Sequence, residues 1–440
     1  MKIVNDPGID RITRDLSGAM WIFARLREDD NSTATFIHRC FQREIWREIR
    51  LRDRVVICAV LPAVPFVIMA VTAVFTTLNG SAIKRRTGKG IIRQIREQIE
   101  LALRFAILSP WYYIFELHDD DKKRHAGEYL NRLETKAGLY RFLRDYNGGL
   151  PLPAERSTPC ISDKSRFMAR CREHGIMTAP VFFKIMGGQV TAVDWKGSEL
   201  PETDLFVKPS HGRGGRNATR WVYLGSGQYR RNDGEILTGN QLLERLRLES
   251  RQKAFLIQPR LLNHEDIADL ANGTLATVRV MSCRNERRKF EITNAVFRMA
   301  RKKSVVVDNF HAGGIAANVD IRTGELGRGT CGAWGATADG WYERHCETGV
   351  QILHRRLPCW PALVDLVQYA HASAFSDQVI IGWDVALLNS GPCIMEANKA
   401  PDLDIIQRVG GGPVGGQRLG KLLAFNLRRT VETKYNRPGA

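Results

Sequence analysis

The stretch that decides the fold is "IGWDVALLNSGPCIMEANKAPDL", residues 381–403. It reads as a strand, a four-residue turn from Asn389 to Pro392, and a second strand. In an antiparallel hairpin with that turn, Asp384 lies opposite or diagonal to Glu396. Glu396 and Asn398 are two apart and share a face, while Cys393, Met395 and Ala397 face the other way. Two carboxylates on apolar strands repel unless a cation lies between them. Two carboxylates and an amide oxygen are hard ligands, suited to Mg²⁺ when phosphates complete its shell. A salt-bridged surface hairpin is the alternative, and the apolar flanks weigh against it.

Working outward, "LFVKPSHGRGGRNATRWVYL", residues 205–224, puts Lys208 at the end of an apolar run. Gly212, Gly214 and Gly215 follow, and then another strand. A P-loop has its glycines before the lysine, so this is not one. A glycine-rich turn between antiparallel strands can still close over phosphates with its N–H groups, with Lys208 as the point charge. Taken alone, a hairpin turn beside a solvent-reaching lysine is the simpler reading. In "CISDKSRFMARCREHG" Lys164 starts a helix and Asp163 is its N-cap. In "FLIQPRLLNHEDIADL" strand pairing must stop at Gln258–Pro259, because proline has no N–H to give. Backbone groups exposed at such an end can read an adenine edge, and plain linkers look the same. Arg279 and Arg298 sit inside β-like runs, where a buried guanidinium needs an anion: a phosphate, a substrate carboxylate or a structural aspartate. "VVVDNFHAGGIAANVDIRTGEL" carries Gly313–Gly314 after Asp308–Asn309, either a loop near the phosphates or an ordinary hairpin.

The N-terminal third has a different texture. Residues 1–54 are polar and basic, helical from about Thr35 to Arg54. Residues 55–83, "VVICAVLPAVPFVIMAVTAVFTTLNGSAI", contain no charge and are long enough to be a membrane segment. Pro62 and Pro65 interrupt its helix. Arginines and lysines on both sides favour a re-entrant hairpin with both ends cytosolic over a single span. A buried core helix is the third possibility. Residues 84–150 read as helical and possible to place at a membrane interface: Trp111, Tyr112 and Tyr113 suit either a lipid–water boundary or a core. The Pro- and Gly-rich run 148–159 marks a boundary, and residues 151–440 alternate strands and helices.

The formal charge is +18 over 440 residues, a field that attracts polyanions or anionic lipid. The charge is spread along the chain and no zinc-finger or RNA-recognition signature accompanies it, which argues against nucleic acid. The nine cysteines are odd in number and form no CxxC pair, as in a reducing, cytosolic setting.

Taken in order, "DKSRF", "FVKPSHGRGG", "LIQPRLLNHEDIADL", "TVRV", "DNFHAGGIAANVD" and "IMEANKAPDL" resemble the ATP-grasp fold. More narrowly, they resemble the ATP-grasp group associated with sugar transfer and surface polysaccharides, over about residues 155–435. The resemblance implies an α+β architecture in which two subdomains sandwich ATP, here preceded by a helical, membrane-associated region. It implies that Lys164 and Lys208 contact ATP phosphates and that Ser210 to Gly215 form a lid. Gln258, Pro259, Arg260 and Leu261 would form the adenine hinge. Asp384, Glu396 and Asn398 would hold Mg²⁺, and Arg279, with Arg298, would face phosphate or substrate. The hinge acid of the family is an amide here, at Gln258. Glu265 or Asp266 is left for the ribose, and the usual domain before the core is missing.

The function implied is an ATP- and Mg²⁺-dependent carboxylate–amine ligase working through an acylphosphate. Its substrate would be a small molecule or a lipid-linked sugar, met at the cytoplasmic face of the plasma membrane with the catalytic domain cytosolic. A kinase using the same site, or a non-catalytic scaffold binding nucleotide or anionic lipid, are the alternatives. No motif encodes the donor acid, the acceptor or the oligomeric state.

Overall fold

The structure is a computed structural model that describes residues 31–48, 50–211, 217–302, 310, 313–331 and 340–436. Gly212, Gly214, Gly215 and the pair Asp308–Asn309 lie outside the described residues.

Two seven-stranded antiparallel sheets carry the chain from residue 183 onward. The first contains β1 (Phe183–Met186), β2 (Gln189–Ala192), β3 (Leu205–Pro209), β4 (Thr219–Gly225), β5 (Gln228–Arg231), β6 (Ile236–Thr238) and β7 (Phe255–Pro259). Their order is β2-β1-β7-β3-β4-β5-β6. One face is apolar because Phe183, Ile185, Leu205, Val207 and Ile257 alternate onto it, and the helix Gly239–Glu249 covers that face with Leu242 and Leu246. Thr238 and Gln241 start this helix with a reciprocal capping box, which satisfies two N–H groups that the first turn leaves over.

The second sheet contains β8 (Thr277–Arg284), β9 (Phe290–Met299), β10 (Ile315–Val319), β11 (Leu326–Cys331), β12 (Trp341–Tyr342), β13 (Ile380–Leu388) and β14 (Gly391–Asn398). Their order is β12-β11-β10-β9-β8-β13-β14. Its middle strands are apolar on both faces. Val278, Val280 and Phe297 meet the helix Trp360–Ala374 on one side. Met281, Cys283 and Val296 on the other join a core built with the helices Asp404–Val409 and Arg418–Tyr435. Tyr112, Tyr113 and Phe142 belong to that same core, so residues on both sides of position 151 close it. Trp111, Tyr112 and Tyr113 are therefore core residues, and the lipid–water reading of them is corrected. The Tyr112 hydroxyl donates to Glu97 at 2.8 Å.

Residues 51–87 form one helix, Leu51–Thr87, long and apolar enough to cross a membrane. No reversal occurs at the prolines. Pro62 sits in a single 3₁₀ turn, Leu61–Ala63, and Pro65 in the first turn that follows, where its missing N–H costs nothing. The re-entrant hairpin is thereby corrected to one continuous helix.

Candidate active site

The hairpin that opened the reading forms as expected in its register and differs in its turn. Asp384 pairs with Glu396, and Gly382 with Asn398. The turn is only Asn389–Ser390: Leu388 pairs with Gly391, whose φ of 110° a residue with Cβ rarely adopts. Pro392 lies within β14 and not in the turn; β14 is an edge strand, where a lost N–H is tolerated. The pairing skips Met395, since Val385 faces Ile394 directly after Asp384 faces Glu396. This bulge reverses the alternation. Cys393 therefore falls on the same side as Glu396, not the opposite side as simple alternation requires.

Lys208 meets this hairpin from the other sheet. It is the penultimate residue of β3, paired with Leu256 of β7, and only 9% of it is exposed. Among the described residues no hydrogen bond or ion pair reaches its ammonium. Burial pushes the Lys208 ammonium down to about 8; neighbouring Lys164 adds to this, while Glu396 and Cys393 oppose it.

Lys164 is the first residue of the helix Lys164–Glu173, and the Asp163 carboxylate caps that helix by accepting from Ser165 N at 2.8 Å. Lys164 N donates to the Ser210 carbonyl at 3.4 Å, and Ser210 N donates to the Ala254 carbonyl at 2.8 Å. The start of the lid is thus pinned between β7 and this helix end. Lys164 Nζ lies 3.8 Å from Glu396 Oε2. The structure so brings together Lys164, Lys208, Ser210 and Glu396 from separate parts of the chain. Ile394 N also donates to the Met177 carbonyl at 3.0 Å, tying β14 to the chain that leads into the first sheet.

Asp384 is committed differently. Both of its oxygens accept from Arg279, and Arg298 Nη2 lies 3.1 Å away. Burial alone would raise this carboxyl; Arg279 and Arg298 outweigh it and hold it below the ordinary carboxylate range. Of the anions open to these two arginines, the one they meet is the structural aspartate. Glu396, by contrast, is about one-third exposed. Asn398 Nδ2 is buried with no hydrogen-bond partner. Since the amide's oxygen and nitrogen ends are interchangeable in placement, an unsatisfied Asn398 amide beside an exposed Glu396 carboxylate fits a cation's oxygen shell. Among the described residues, no three His, Cys, Asp or Glu side chains converge as a metal cluster. A divalent ion there needs the Asn398 amide and ligand phosphates as well.

Gln258 and Pro259 end β7 of the first sheet, and Arg260 and Leu261 begin the connection towards the second. The Gln258 side chain turns inward, its Nε2 donating to the Pro180 carbonyl at 3.0 Å, so it offers no free amide. Pro259 closes β7 opposite Leu205. Arg260 N donates to the Asp204 carbonyl at 2.9 Å, and its guanidinium pairs with Asp204 at 2.8 Å. Leu261 follows, outside any strand. Of the ribose candidates, Glu265 N donates to the Asn389 side-chain oxygen at 3.0 Å and the Asp266 carboxylate lies 3.6 Å from His264. Two neighbours of the site were not expected from the sequence. Lys399, directly after Asn398, donates to Ser162. His211 Nδ1 lies 2.9 Å from Ser210 Oγ. The "EANK" run contains the first, but adjacency in sequence says nothing of which helix lies opposite.

Two antiparallel sheets, with Lys208 on one, Asp384 and Glu396 on the other and Lys164 on a helix that reaches Glu396, have the arrangement of an ATP-grasp protein. Residues 144–418 match the model of the sugar-transfer associated ATP-grasp family. The match takes in more than half of the chain, and the protein belongs to that family. No curated protein matches the sequence. Among solved structures, it is similar to an L-amino acid ligase from Bacillus licheniformis at 10% identity and a TM-score of 0.36, over 70% of this chain and 59% of that one. It is also similar to a D-alanine–D-alanine ligase from Bacillus anthracis complexed with ATP, at 13% identity and a TM-score of 0.33, over 63% of this chain and 67% of that one. An N5-carboxyaminoimidazole synthetase from Staphylococcus aureus complexed with ADP aligns at 8% identity and a TM-score of 0.28, over 55% and 45%. The chain thus spans roughly half to two thirds of the length of these structures, and the family assignment does not rest on them.

Proposed function

We propose that the protein is an ATP-dependent carboxylate–amine ligase acting on a sugar-related substrate at a membrane. The observation that supports it is the buried Lys208 ammonium, without a partner among the described residues, facing Glu396 and Lys164 across the join of the two sheets. A buried cation with no counter-charge is unstable unless an anion arrives, and a polyphosphate supplies one.

In this reading a substrate carboxylate oxygen attacks the γ-phosphorus of ATP, ADP leaves, and an acylphosphate forms. An amine nitrogen then attacks the acyl carbon, phosphate leaves, and the nitrogen loses a proton. Lys208 and Lys164 bind and orient the phosphates, and their charge offsets what develops on the transferring oxygens. Glu396 and Asn398 would hold Mg²⁺, with Asp384 beside them already paired to arginine. When bound, the ion supplies Lewis-acid neutralisation of phosphate oxygens. Asp384 fixes Arg279 and Arg298, so their charge stands ready without having to find its place. No side chain need act as a nucleophile. Membrane association of the catalytic protein, with its site on the cytosolic side, belongs to this proposal, as does a lipid-linked sugar as substrate.

The test is ADP release by detergent-solubilised protein over pairs of acids and amines, with hydroxylamine as trap. An acyl hydroxamate formed only with ATP present supports the ligase. A stable phosphorylated alcohol in its place makes the protein a kinase.

A further inference from the structure

The Leu51–Thr87 helix is inside-out relative to an ordinary surface helix. Its protein-facing stripe includes Thr72, Thr76 and Asn79, interleaved with Ile68 and Ile83. Thr72 Oγ1 lies 3.0 Å from Ser109 Oγ, and Gln98 Nε2 donates to Thr76 Oγ1 at 2.9 Å. Its solvent-facing stripe is apolar: Phe66 is 73% exposed, Met69 63%, Leu78 59% and Val55 60%. No charged residue lies between Arg54 and Lys84. Ile92, on the neighbouring helix, is 84% exposed and extends the patch.

Three geometric facts decide how such a face meets lipid. Burial recurs from Ile57 to Ile83, so the helix lies along the protein over its whole apolar length. The helix Ile91–Phe105 packs beside it and carries Arg93, Arg96 and Glu100 on its outer side. A bilayer-spanning placement would draw those charges through the hydrocarbon, where they are excluded. Finally, the apolar stripe is bracketed by cations: Arg50 and Arg52 at one end, Lys84 and Arg85 at the other, all exposed. Cations at both ends of an apolar helix match phosphate headgroups on a single surface.

The geometry points to an in-plane membrane anchor: the outer face of the Leu51–Thr87 helix is pressed into one leaflet of an anionic bilayer, with its basic ends in the headgroup layer and no crossing. At about 1.5 Å per residue the 37-residue helix is about 55 Å long, longer than the hydrocarbon it would have to cross and free to lie flat. This rests on the reading that the protein works at a membrane, and adds the mode of contact.

The experiment uses the full chain with vesicles of phosphatidylcholine, with and without phosphatidylglycerol. The protein is expected to float with the phosphatidylglycerol vesicles, less so in high salt. The pair Phe66→Glu and Met69→Glu should weaken partitioning by at least about tenfold, without unfolding, since both side chains already face water. In single variants Val55→Trp, Phe66→Trp and Leu78→Trp, brominated lipids should add quenching at one common shallow depth. A depth profile deepest at Phe66 and shallow at both ends would mean a span and overturn the inference. So would unchanged flotation of the double variant. A lipid-free dimer that the double variant separates, with no flotation by the parent, would assign the face to a second copy instead. ADP release in detergent, read in parallel on the double variant, keeps a failure of the anchor apart from a failure of the ligase reading.

Discussion

Replacing Lys208 by methionine should stabilise the ligand-free protein and abolish nucleotide turnover. The ammonium is held down from 10.5 to about 8 chiefly by burial, which at about 1.4 kcal/mol per pH unit is a penalty of about 3 kcal/mol for keeping it charged. Methionine has nearly the same length and no charge, so it removes the penalty and leaves little cavity. With an unfolding entropy of ~2 cal/mol/K per residue over this chain, the gain is worth a rise in Tm of about 3 °C. The pH dependence carries the sign. Below pH 8 the native lysine is charged in both states and the penalty is present in full. Between pH 8 and 10.5 the unfolded chain binds more protons than the folded one, so the parent gains stability as pH rises. The advantage of Lys208→Met is therefore largest at neutral pH and fades towards pH 10.5. Urea unfolding at pH 7 and at pH 10 measures it, with Mg·ATP binding followed by calorimetry. A variant less stable than the parent at neutral pH, or a gain that does not change with pH, would refute the argument that this ammonium stands uncompensated. Full binding of Mg·ATP by the variant would refute its role.

Glu396→Ala should abolish Mg·ATP turnover and leave urea stability within about 1 kcal/mol of the parent, because its ion pair with Lys164 is long and partly exposed. Asp384→Ala should behave in the opposite way on stability, losing about 3–5 kcal/mol in the same unfolding assay, because it strands the buried Arg279 and Arg298 guanidiniums. Glu116 is raised by burial but pulled down to about 2 by Arg408, Lys122 and the Trp341 N–H. A carboxylate lowered on folding contributes stability that is present above about pH 4.5 and lost as pH falls towards 2. Glu116→Gln should lose stability at pH 7 and flatten the acid limb of its pH–stability curve in that window.

Much of this was legible because strand geometry converts spacing into direction. "WDVALL" and "CIMEAN" fix a hairpin that brings Asp384 close to Glu396, but their direct pairing comes from the bulge, since the two-residue turn alone would set Asp384 opposite Met395. The bulge at Met395 left no mark in the letters, so Cys393 was placed on the wrong side. The two-residue turn was hidden by Pro392, which reads as a turn residue but stands on an edge strand. Around Gly313–Gly314 the letters left a loop and an ordinary hairpin equally open, and the structure has β10 directly after the glycines. Residues 315–319 alternate weakly, and pairing with β9 on one side and β11 on the other does what local preference does not. Trp111, Tyr112 and Tyr113 were ambiguous for a deeper reason. An aromatic cluster is equally at home against lipid or protein, and only the arrival of Glu97 beneath Tyr112 decides between them.

The two kinds of cation in the site are treated differently, and the difference is informative. Arg279 and Arg298 are neutralised within the chain by Asp384. Among the described residues Lys208 has no such ion pair: the carboxylate that acts on it is Glu396, which Lys164 approaches at 3.8 Å. Lys208 is thus left, among the described residues, as a buried ammonium with no ion pair of its own. Evolution for stability alone would remove such a group, since most stabilising substitutions are easily found. A buried lysine on the first sheet, near a carboxylate and an Asn398 amide nitrogen without a hydrogen-bond partner on the second, fits a partner that comes from outside the chain. It must carry negative charge for the lysines and tolerate, or bring, a cation for the carboxylate. A metal-bound polyphosphate meets both conditions at once, whereas a simple anion meets the first and is repelled by Glu396. The prediction for Lys208→Met is therefore the sharper of the two site tests, because it asks whether the ammonium stands uncompensated before any ligand is added.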